Sequence, residues 1–430
     1  MSFTDDAVAA IVPAQVVSVG PDRLEEVMDF DGLVWGEEHP ASEAAYLRDL
    51  IEWDRSFGLE TDRQLVGFCS AFSFDVPVPG GQRLDIGGLT AVGVHPAYRR
   101  RGFLKALLAR HFQDCWDRGE PVSLLFASEP EIYGRFGYGV TSRAACLTIP
   151  RGTELRPVPG CDATSVVIET AEYDRHAAIV KEVCLAAGQG PLARPAWTLP
   201  TTEGEWRRWF YNPPETHRKV ERRRIAVVWT DGRPTGVAIF RRDGKWGDWV
   251  PEATLEVILL VALDPASHHS LWSTLLHMDL VKTIKTDLMP LDEPLFAQVT
   301  DPRPIRAPVI DCLHARVLDL PAALEARRYG APIDVAMAVT DRHFPSNAGL
   351  WRLVGGPDRA TVTRLGEPPV DPTVADLTLD IREVGAIFFG GISAAALVAG
   401  GLIQARDSSP AHAVDLAFRS PLHPASPYGW

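Results

Sequence analysis

The sequence lacks most of what would hold a nucleic acid, a metal or a membrane. Acidic side chains outnumber basic ones by 56 to 43 in 430 residues, leaving a formal net charge of −13. A surplus of that sign repels a phosphate backbone and suits a cationic or small neutral partner. The six cysteines, Cys69, Cys115, Cys146, Cys161, Cys184 and Cys312, are scattered without a C-x-x-C pair, which points to a reduced, cytoplasmic protein. No metal is expected, because the adjacent His268 and His269 have no second ligand pair at working spacing and read as surface imidazoles. The start, MSFTDDAVAA, has neither the basic nor the apolar segment of a secretion signal. Long apolar runs are missing too, with one exception. Residues 386–403 are uncharged over 18 positions, near the lower limit of a span, yet their glycines and the absence of flanking Lys/Arg clusters favour a buried strand, turn and helix over a membrane helix.

What is present is an ordinary globular composition, 46% hydrophobic and 23% charged, in a chain long enough for about three domains. Pro-rich joints at residues 150–160 and 301–308 divide it into 1–150, 151–304 and 305–430. In the first block, residues 64–74 and 83–94 read as strands around the turn PVPGGQ. A helix opens after Gly102, its apolar positions Leu104, Leu107, Leu108, Phe112, Cys115 and Trp116 spaced by three and four, and 122–127 is the buried strand that follows. The second block repeats the frame. Strands at 224–229 and 235–241 flank the turn TDGRP, and 255–263 leads through Asp-Pro into a helix containing Leu271, Leu275, Leu276 and Leu280. VHPAYRRRGFL aligns with LDPASHHSLWS at an offset of 169 residues, with the basic loop missing from the second copy. The third block reads as a strand at 309–317, a helix at 320–327, strands at 334–339 and 349–354, and the apolar stretch already described.

Chemistry concentrates at Arg99-Arg100-Arg101-Gly102, between a strand and a helix. Backbone N–H groups and the positive end of the helix dipole converge there, and a polyphosphate fits such a place. A solvated basic run is the plain alternative. The context of an otherwise acidic chain, with no G-x-x-x-x-G-K-[ST] or G-x-G-x-x-G to compete for phosphate, favours the anion site.

These residues resemble a known family. AVGVHPAYRRRGFLKALL is similar to the acyl-CoA motif of the GCN5-related N-acetyltransferases (GNATs), whose pyrophosphate loop reads Arg/Gln-x-x-Gly-x-Gly/Ala. Here it stands as Arg99-x-x-Gly102-x-Leu104, with Leu104 departing from the small last residue. Residues 127–139, ASEPEIYGRFGYG, resemble the matching segment of the enhanced intracellular survival (Eis) acetyltransferases. The resemblance implies an α+β protein of tandem GNAT folds, mixed central sheets flanked by helices, followed by a sterol-carrier-protein-like α+β domain. The first fold would be catalytic, the second degenerate, and the whole a homohexamer.

It also implies acetyl transfer from acetyl-CoA to amines of aminoglycosides or polyamine-like substrates. The cofactor would lie against Val92, Gly93 and Val94, with its pyrophosphate on Arg100, Arg101, Gly102, Phe103, Leu104 and Lys105 and further contacts at Ser128 and Glu129. Tyr133 would be the general acid and the terminal carboxylate of Trp430 the general base. Asp31 and Trp35, in the acid-and-aromatic segment 29–40, are candidates for a substrate wall, as is a simple surface loop. Against free reference groups, a phenol near 10 protonating a thiolate near 8.5 is uphill by about 2 kcal/mol. An α-carboxylate near 3.5 deprotonating an amine near 8 falls short by roughly 6 kcal/mol, so it is better suited to holding a cation and relaying a proton through water. Two other functions fit the same residues: acetylation of a protein lysine or small metabolic amine, and carriage of a hydrophobic ligand by the third block.

Overall fold

The structure is a computed structural model that describes residues 15–36, 39–190, 193–212 and 220–430. The start MSFTDDAVAA and Glu37-Glu38 lie outside the described residues. The first series comprises β1 (Gln15–Ser18), α1 (Leu24–Trp35), α2 (Ala44–Leu50), β2 (Phe57–Thr61), β3 (Gln64–Pro77), β4 (Arg83–Val94), α3 (Phe103–Asp117), β5 (Val122–Phe126), the one-turn α4 (Pro130–Tyr133) and β6 (Gly139–Val140). The second comprises β7 (Arg143–Pro150), β8 (Ser165–Thr170), α5 (Tyr173–Ala187), α6 (Glu203–Arg207), β9 (Arg224–Thr230), β10 (Arg233–Arg242), the small hairpin β11 (Trp246–Gly247) and β12 (Val250–Pro251), β13 (Ala253–Ala262), α7 (Pro265–Leu276), β14 (Val281–Pro290) and α8 (Leu295–Gln298). The third comprises β15 (Val309–Asp311), β16 (Leu313–Val317), α9 (Leu320–Ala326), β17 (Ile333–Thr340), β18 (Gly349–Gly355), β19 (Ala360–Gly366), β20 (Leu377–Asp380), α10 (Ile381–Phe388), α11 (Ala394–Ala399), β21 (Gln404–Ala405) and α12 (Ser408–Phe418).

Two seven-stranded mixed sheets share one plan. The first runs β1-β2-β3-β4-β5-β16-β6 and the second β15-β7-β14-β13-β10-β9-β8. In each, an antiparallel pair (β3 with β4, β10 with β13) precedes a parallel partner reached through a crossover helix, α3 or α7. The repeat seen at an offset of 169 residues is therefore a duplicated fold. The third domain is a five-stranded sheet, β19-β18-β17-β20-β21, with helices packed on it.

Several sequence expectations differ from the structure. His268, read as a surface imidazole, is buried between Glu293 at 2.6 Å and Gln298 at 2.9 Å, and Leu280 lies beyond the end of α7. The cuts at 150 and 304 follow the Pro-rich joints, whereas the sheets exchange strands across them: β7 pairs with β14, and β16 enters the first sheet beside β5. Residues 309–317 form two strands, not one, because Cys312 breaks the run and sends β15 to the second sheet and β16 to the first. Residues 386–403 form the end of α10, a turn and α11, with no strand before the turn. Asp380 caps α10 by accepting the Arg382 N–H at 3.1 Å, and Ile381, Val384, Ile387 and Phe388 then recur at helical spacing along its buried side. The signal that starts this helix lies outside the uncharged window.

Buried charge fixes the joints. The Arg55 guanidinium, fully buried, holds both Glu120 oxygens at 2.7 and 2.6 Å, Asp114 at 3.0 Å and the Ser73 hydroxyl at 3.0 Å, so that β3, the end of α3 and the entrance to β5 converge on one group. Arg316 of β16 meets both Asp341 oxygens at 2.8 Å with neither side chain exposed, tying the third domain to the first sheet. Removing one partner of such a pair strands the other, at about 3–5 kcal/mol. Gly139 has no room for a side chain, since a Cβ there would lie 2.1 Å from the Arg382 carbonyl of α10.

Glu205 is a weak point in this packing. Fully buried on α6, it accepts from the Thr201 N–H at 3.1 Å and the Thr202 hydroxyl at 3.0 Å. Burial, aided by the nearby Glu52 charge, nevertheless pushes its carboxyl up to about 7. A pKa raised on folding favours the protonated native state, so this contribution is complete below the unfolded value near 4.3 and is lost as pH rises through about 7, roughly 4 kcal/mol in all. Glu205→Gln should therefore raise the melting temperature at about pH 8 and change it little near pH 4. Equal shifts at both pH values in a calorimetric series would refute the assignment.

Candidate active site

The site begins where two strands stop pairing. β4 bonds to β3 from Arg83 to Val94, but to β5 only from Ile86 to Leu89. Past that point Ala91 takes a φ of +49° and the register against β3 slips between Phe68 and Ser70, a bulge that turns the strand. The far edge of β4, carrying Val92, Gly93 and Val94, thus faces a gap instead of a neighbouring strand. An elongated ligand laid in that gap would find backbone groups to bond.

Beyond Val94 the chain enters the basic loop. Arg100 and Gly102 have φ of +63° and +85°, and these two left-handed residues curl the loop into α3. The first carbonyl to accept within the helix is that of Gly102, from the Ala106 N–H at 3.1 Å. The N–H groups of Phe103, Leu104 and Lys105 therefore have no partner inside the helix and point out of its positive end. Arg99, Arg100 and Arg101 are exposed, and Arg101 lies over the Tyr98 ring at 5.2 Å. Among the described residues none of these arginines, nor Lys105, pairs with a carboxylate. Leu104 packs against the core under α3, which directs its bulk into the protein. Ser128 and Glu129 stand exposed just past the end of β5. This arrangement fits a pantetheine arm in the gap and a pyrophosphate on the loop.

Tyr133 and Trp430 approach the same gap from opposite faces of the sheet. Tyr133 belongs to the core on the α3 side, with Leu89, Leu125 and Cys69. It is 8% exposed, its ring edge-on to Tyr138 at 6.0 Å. Burial, with smaller effects of Cys69 and Glu129, pushes its phenol up to about 12. Trp430 packs on the other face, its ring centroid 4.6 Å from both Phe74 and Phe126. Its indole N–H donates to the Leu89 carbonyl at 3.2 Å, at the last paired residue of β4.

The tail that delivers this indole is strapped along its length. The His423 N–H donates to Asp292 at 3.0 Å, and Arg194 bridges Asp292 and the His423 carbonyl at 2.7 Å each. The Ala425 N–H donates to the Pro195 carbonyl at 3.1 Å, and Ser426 bonds Thr198. Tyr428 is fully buried edge-on to Phe72, Phe74 and Trp209. Sequence reasoning missed these supports, for which the aromatic residues of the PYGW ending are the one visible signal. The two wall candidates are placed differently. Asp31 accepts from His39 at 2.8 Å, with Glu43 at 3.3 Å from the other ring nitrogen, and Trp35 is 46% exposed at the end of α1. Asp31 is thus already occupied by a side chain of its own domain.

Residues 15–141 and 198–317 each match families described as acetyltransferase (GNAT) domain, and 320–427 match the sterol carrier protein domain. An uncharacterized N-acetyltransferase of Streptomyces avermitilis is 35% identical over 400 residues, covering 92% of this chain and 94% of that protein. The chain belongs to the Eis-type GCN5-related N-acetyltransferases. N-acetyltransferase Eis of Mycobacterium tuberculosis is 29% identical over 392 residues, 90% of this chain and 89% of its own. The crystal structure of Eis1 from Mycobacterium abscessus superposes with a TM-score of 0.79 at 26% identity, covering 97% of this chain and all of that one. A GNAT structure from Anabaena variabilis shares the fold, with a TM-score of 0.81 at 17% identity. This Eis-type chain is therefore an N-acetyltransferase, and GNAT domains use acetyl-CoA.

Among the described residues no helix is long and apolar enough to cross a membrane, and no group of three or more His, Cys, Asp or Glu is placed to hold a metal. The loop geometry makes a prediction for the Eis-type cofactor site. Reversing charge in Arg100→Glu/Arg101→Glu should weaken CoA binding by roughly a hundredfold at low salt, with the deficit shrinking as salt is added. Unchanged affinity by calorimetry would remove the loop from the cofactor site.

Proposed function

We propose that the first fold transfers acetyl from acetyl-CoA to an amine of an aminoglycoside or polyamine-like substrate, with Tyr133 as general acid and the Trp430 carboxylate on the amine side. The observation that carries this reading is the indole N–H of Trp430 bonded to Leu89 at the gap in the sheet, with Tyr133 buried on the opposite face. Bound acetyl-CoA supplies the thioester. A C–N bond forms, the C–S bond breaks, the amine gives up a proton and the departing sulfur needs one.

The phenol of Tyr133 carries its proton at any physiological pH, being pushed up to about 12. Against a free thiol near 8.5 that makes donation uphill by about 5 kcal/mol, worse than free reference values suggest. Burial acts on the sulfur as well. Cys69, a thiol in the same core and close enough to perturb Tyr133, is itself pushed up to about 12 by burial. A sulfur leaving from the gap is desolvated in the same direction, which narrows its difference in pKa from the phenol. On the other face the terminal carboxylate attracts an ammonium group and relays its proton to water, a role that requires no raised pKa. The negative field of an acidic protein concentrates cations there.

Carriage of a hydrophobic ligand by the third domain finds little support. Its interior holds the fully buried Arg327, whose guanidinium lies 4.7 Å from the Tyr329 ring and 4.3 Å from the Phe418 ring. With this reading we also propose cytoplasmic residence and assembly as a homohexamer, the latter measurable by light scattering.

The activity itself is tested by thiol release from acetyl-CoA against a panel of aminoglycosides, polyamines and lysine peptides, where turnover of lysine peptides alone would replace the substrate class. For mechanism, Tyr133→Phe should lower kcat by about 10²–10³ with CoA affinity unchanged. A single glycine added after Trp430 keeps the indole and displaces the carboxylate. It should lower turnover of cationic substrates at least about tenfold, and normal turnover would leave the carboxylate without a role.

A further inference from the structure

The second fold repeats the parting of strands. β13 and β14 pair in parallel only as far as Val257↔Thr286, and a cleft of about 820 Å³ opens around their unpaired ends, lined by Ile258, Leu260 and Leu288 among other apolar residues. No residue of the first fold contributes to it. The nucleotide end is closed off. Asp264 caps α7, accepting from the Ser267 N–H and hydroxyl at 2.8 Å each, so a carboxylate takes the helix N-cap that is Gly102 in the first fold, and the aligned arginines are replaced by His268, His269 and Ser270. The cleft has lost a pyrophosphate site without being filled.

Its charge lies at the other end. Arg208, Arg223 and Arg241 line it. Arg241 is taken by Glu256 at 2.6 Å, and Glu293 by His268 at 2.6 Å. Among the described residues no carboxylate pairs with Arg208 or Arg223. Arg223 donates to the Arg208 carbonyl through Nη1, but its Nε is buried with no partner. Burial, with Arg241 nearby, presses this guanidinium down to about 10. A half-buried cation with an orphaned Nε and no carboxylate paired with it is costly unless something outside the chain completes it.

We propose that this cleft binds a small carboxylate with an apolar body, its carboxylate on Arg208 and Arg223 and its body between β13 and β14. Guanidinium pairs favour a planar two-oxygen anion, and the volume and apolar lining are those of small-ligand sites. Asp287 on the same wall favours one negative charge over two, hence a carboxylate over a phosphate. At the end held by Arg208 and Arg223, like charge disfavours a cationic amine. Ser426 and Gly429 of the strapped tail form part of the wall, so the ligand would touch the segment that ends at Trp430. The site is independent of acetyl transfer and would stand if the proposed substrate class failed.

Calorimetry on the full chain without acetyl-CoA, using hexanoate, hexylamine and inorganic phosphate, provides the test. Hexanoate should bind in the submillimolar range, hexylamine should give no heat, and phosphate should bind at least about tenfold more weakly than hexanoate. Arg208→Gln should weaken hexanoate by about tenfold or more. Because Arg223 also supports backbone, Ile258→Trp, which fills the cleft from a partly exposed position, is the second variant and should abolish binding while the melting temperature holds. No heat from hexanoate up to about 10 mM would overturn the proposal. So would unaltered affinity in both variants, or equal binding of hexylamine.

Discussion

Two neighbouring strands that begin together and then part are what everything else in the first fold serves. Parallel strands joined by a crossover helix ordinarily pair along their shared length. Here β4 and β5 hold four residues in register, up to Leu89↔Leu125, and then a bulge at Ala91 carries β4 away. The gap creates an unpaired backbone edge, which in a closed sheet would be an error to be covered. An extended ligand and the Trp430 indole can both use it, one along the edge of β4 and the other at its last paired carbonyl.

A gap in a sheet is stable only if the surroundings hold it open. Arg55 clamps β3, α3 and the approach to β5 on one side, and the exchanged strand β16 pairs the outer edge of β5 from Val122 to Phe126. With its outer edge occupied and its helix anchored, β5 has little freedom to follow β4. The exchange has a second effect. Because β16 belongs to the chain that leads into the third domain and is locked by Asp341, the third domain is fixed relative to the gap. A tail starting from α12 can then reach the site with its last residue in register. The same closeness explains the glycines after Tyr133, since Gly137 has a φ of +85° beside Arg316, and Gly139 lies under the backbone of α10. Much of the ASEPEIYGRFGYG segment is therefore about seating the third domain, with Tyr133 positioned as part of the same turn.

The unit from β4 through α3 is legible in the sequence because each boundary has a local cause: alternating strand residues, a glycine at a left-handed position, then apolar spacings of three and four. The strand bounds 83–94 and the helix start after Gly102 come out as read. Less legible is whatever depends on partners far along the chain. Residues 309–317 look like one strand because no local property reveals that two sheets claim its halves. The 386–403 stretch looks like a strand because the capping Asp380 stands six residues before it. The tail gives only its composition, and the supports at Asp292, Arg194 and Thr198 come from another domain. Asp31 illustrates the converse, a carboxylate of the expected type in the expected region with one oxygen already bonded to His39.

Charge, which the composition gives only as a sum, acquires meaning through its distribution. With 56 acids to 43 bases, an arginine near the surface has many carboxylates to meet, and most of those at the domain joints do meet one. Arginines without a carboxylate are informative where they cluster at a cleft or a helix start. One such cluster is Arg99 to Arg101, at a helix start with unsatisfied N–H groups, and another is Arg208 and Arg223, beside the second parting of strands. The first set lies open to solvent at no great cost. The second is half-buried, with Arg208 over the Tyr428 ring at 5.5 Å and the Arg223 Nε without a partner, where the lack of a counter-ion costs more. Loss of the pyrophosphate loop alone would have left the second cleft free to fill with side chains or collapse. That it persists with half-buried cations at one end, and apolar walls at the other, is the condition expected of a cavity stabilised by what it binds.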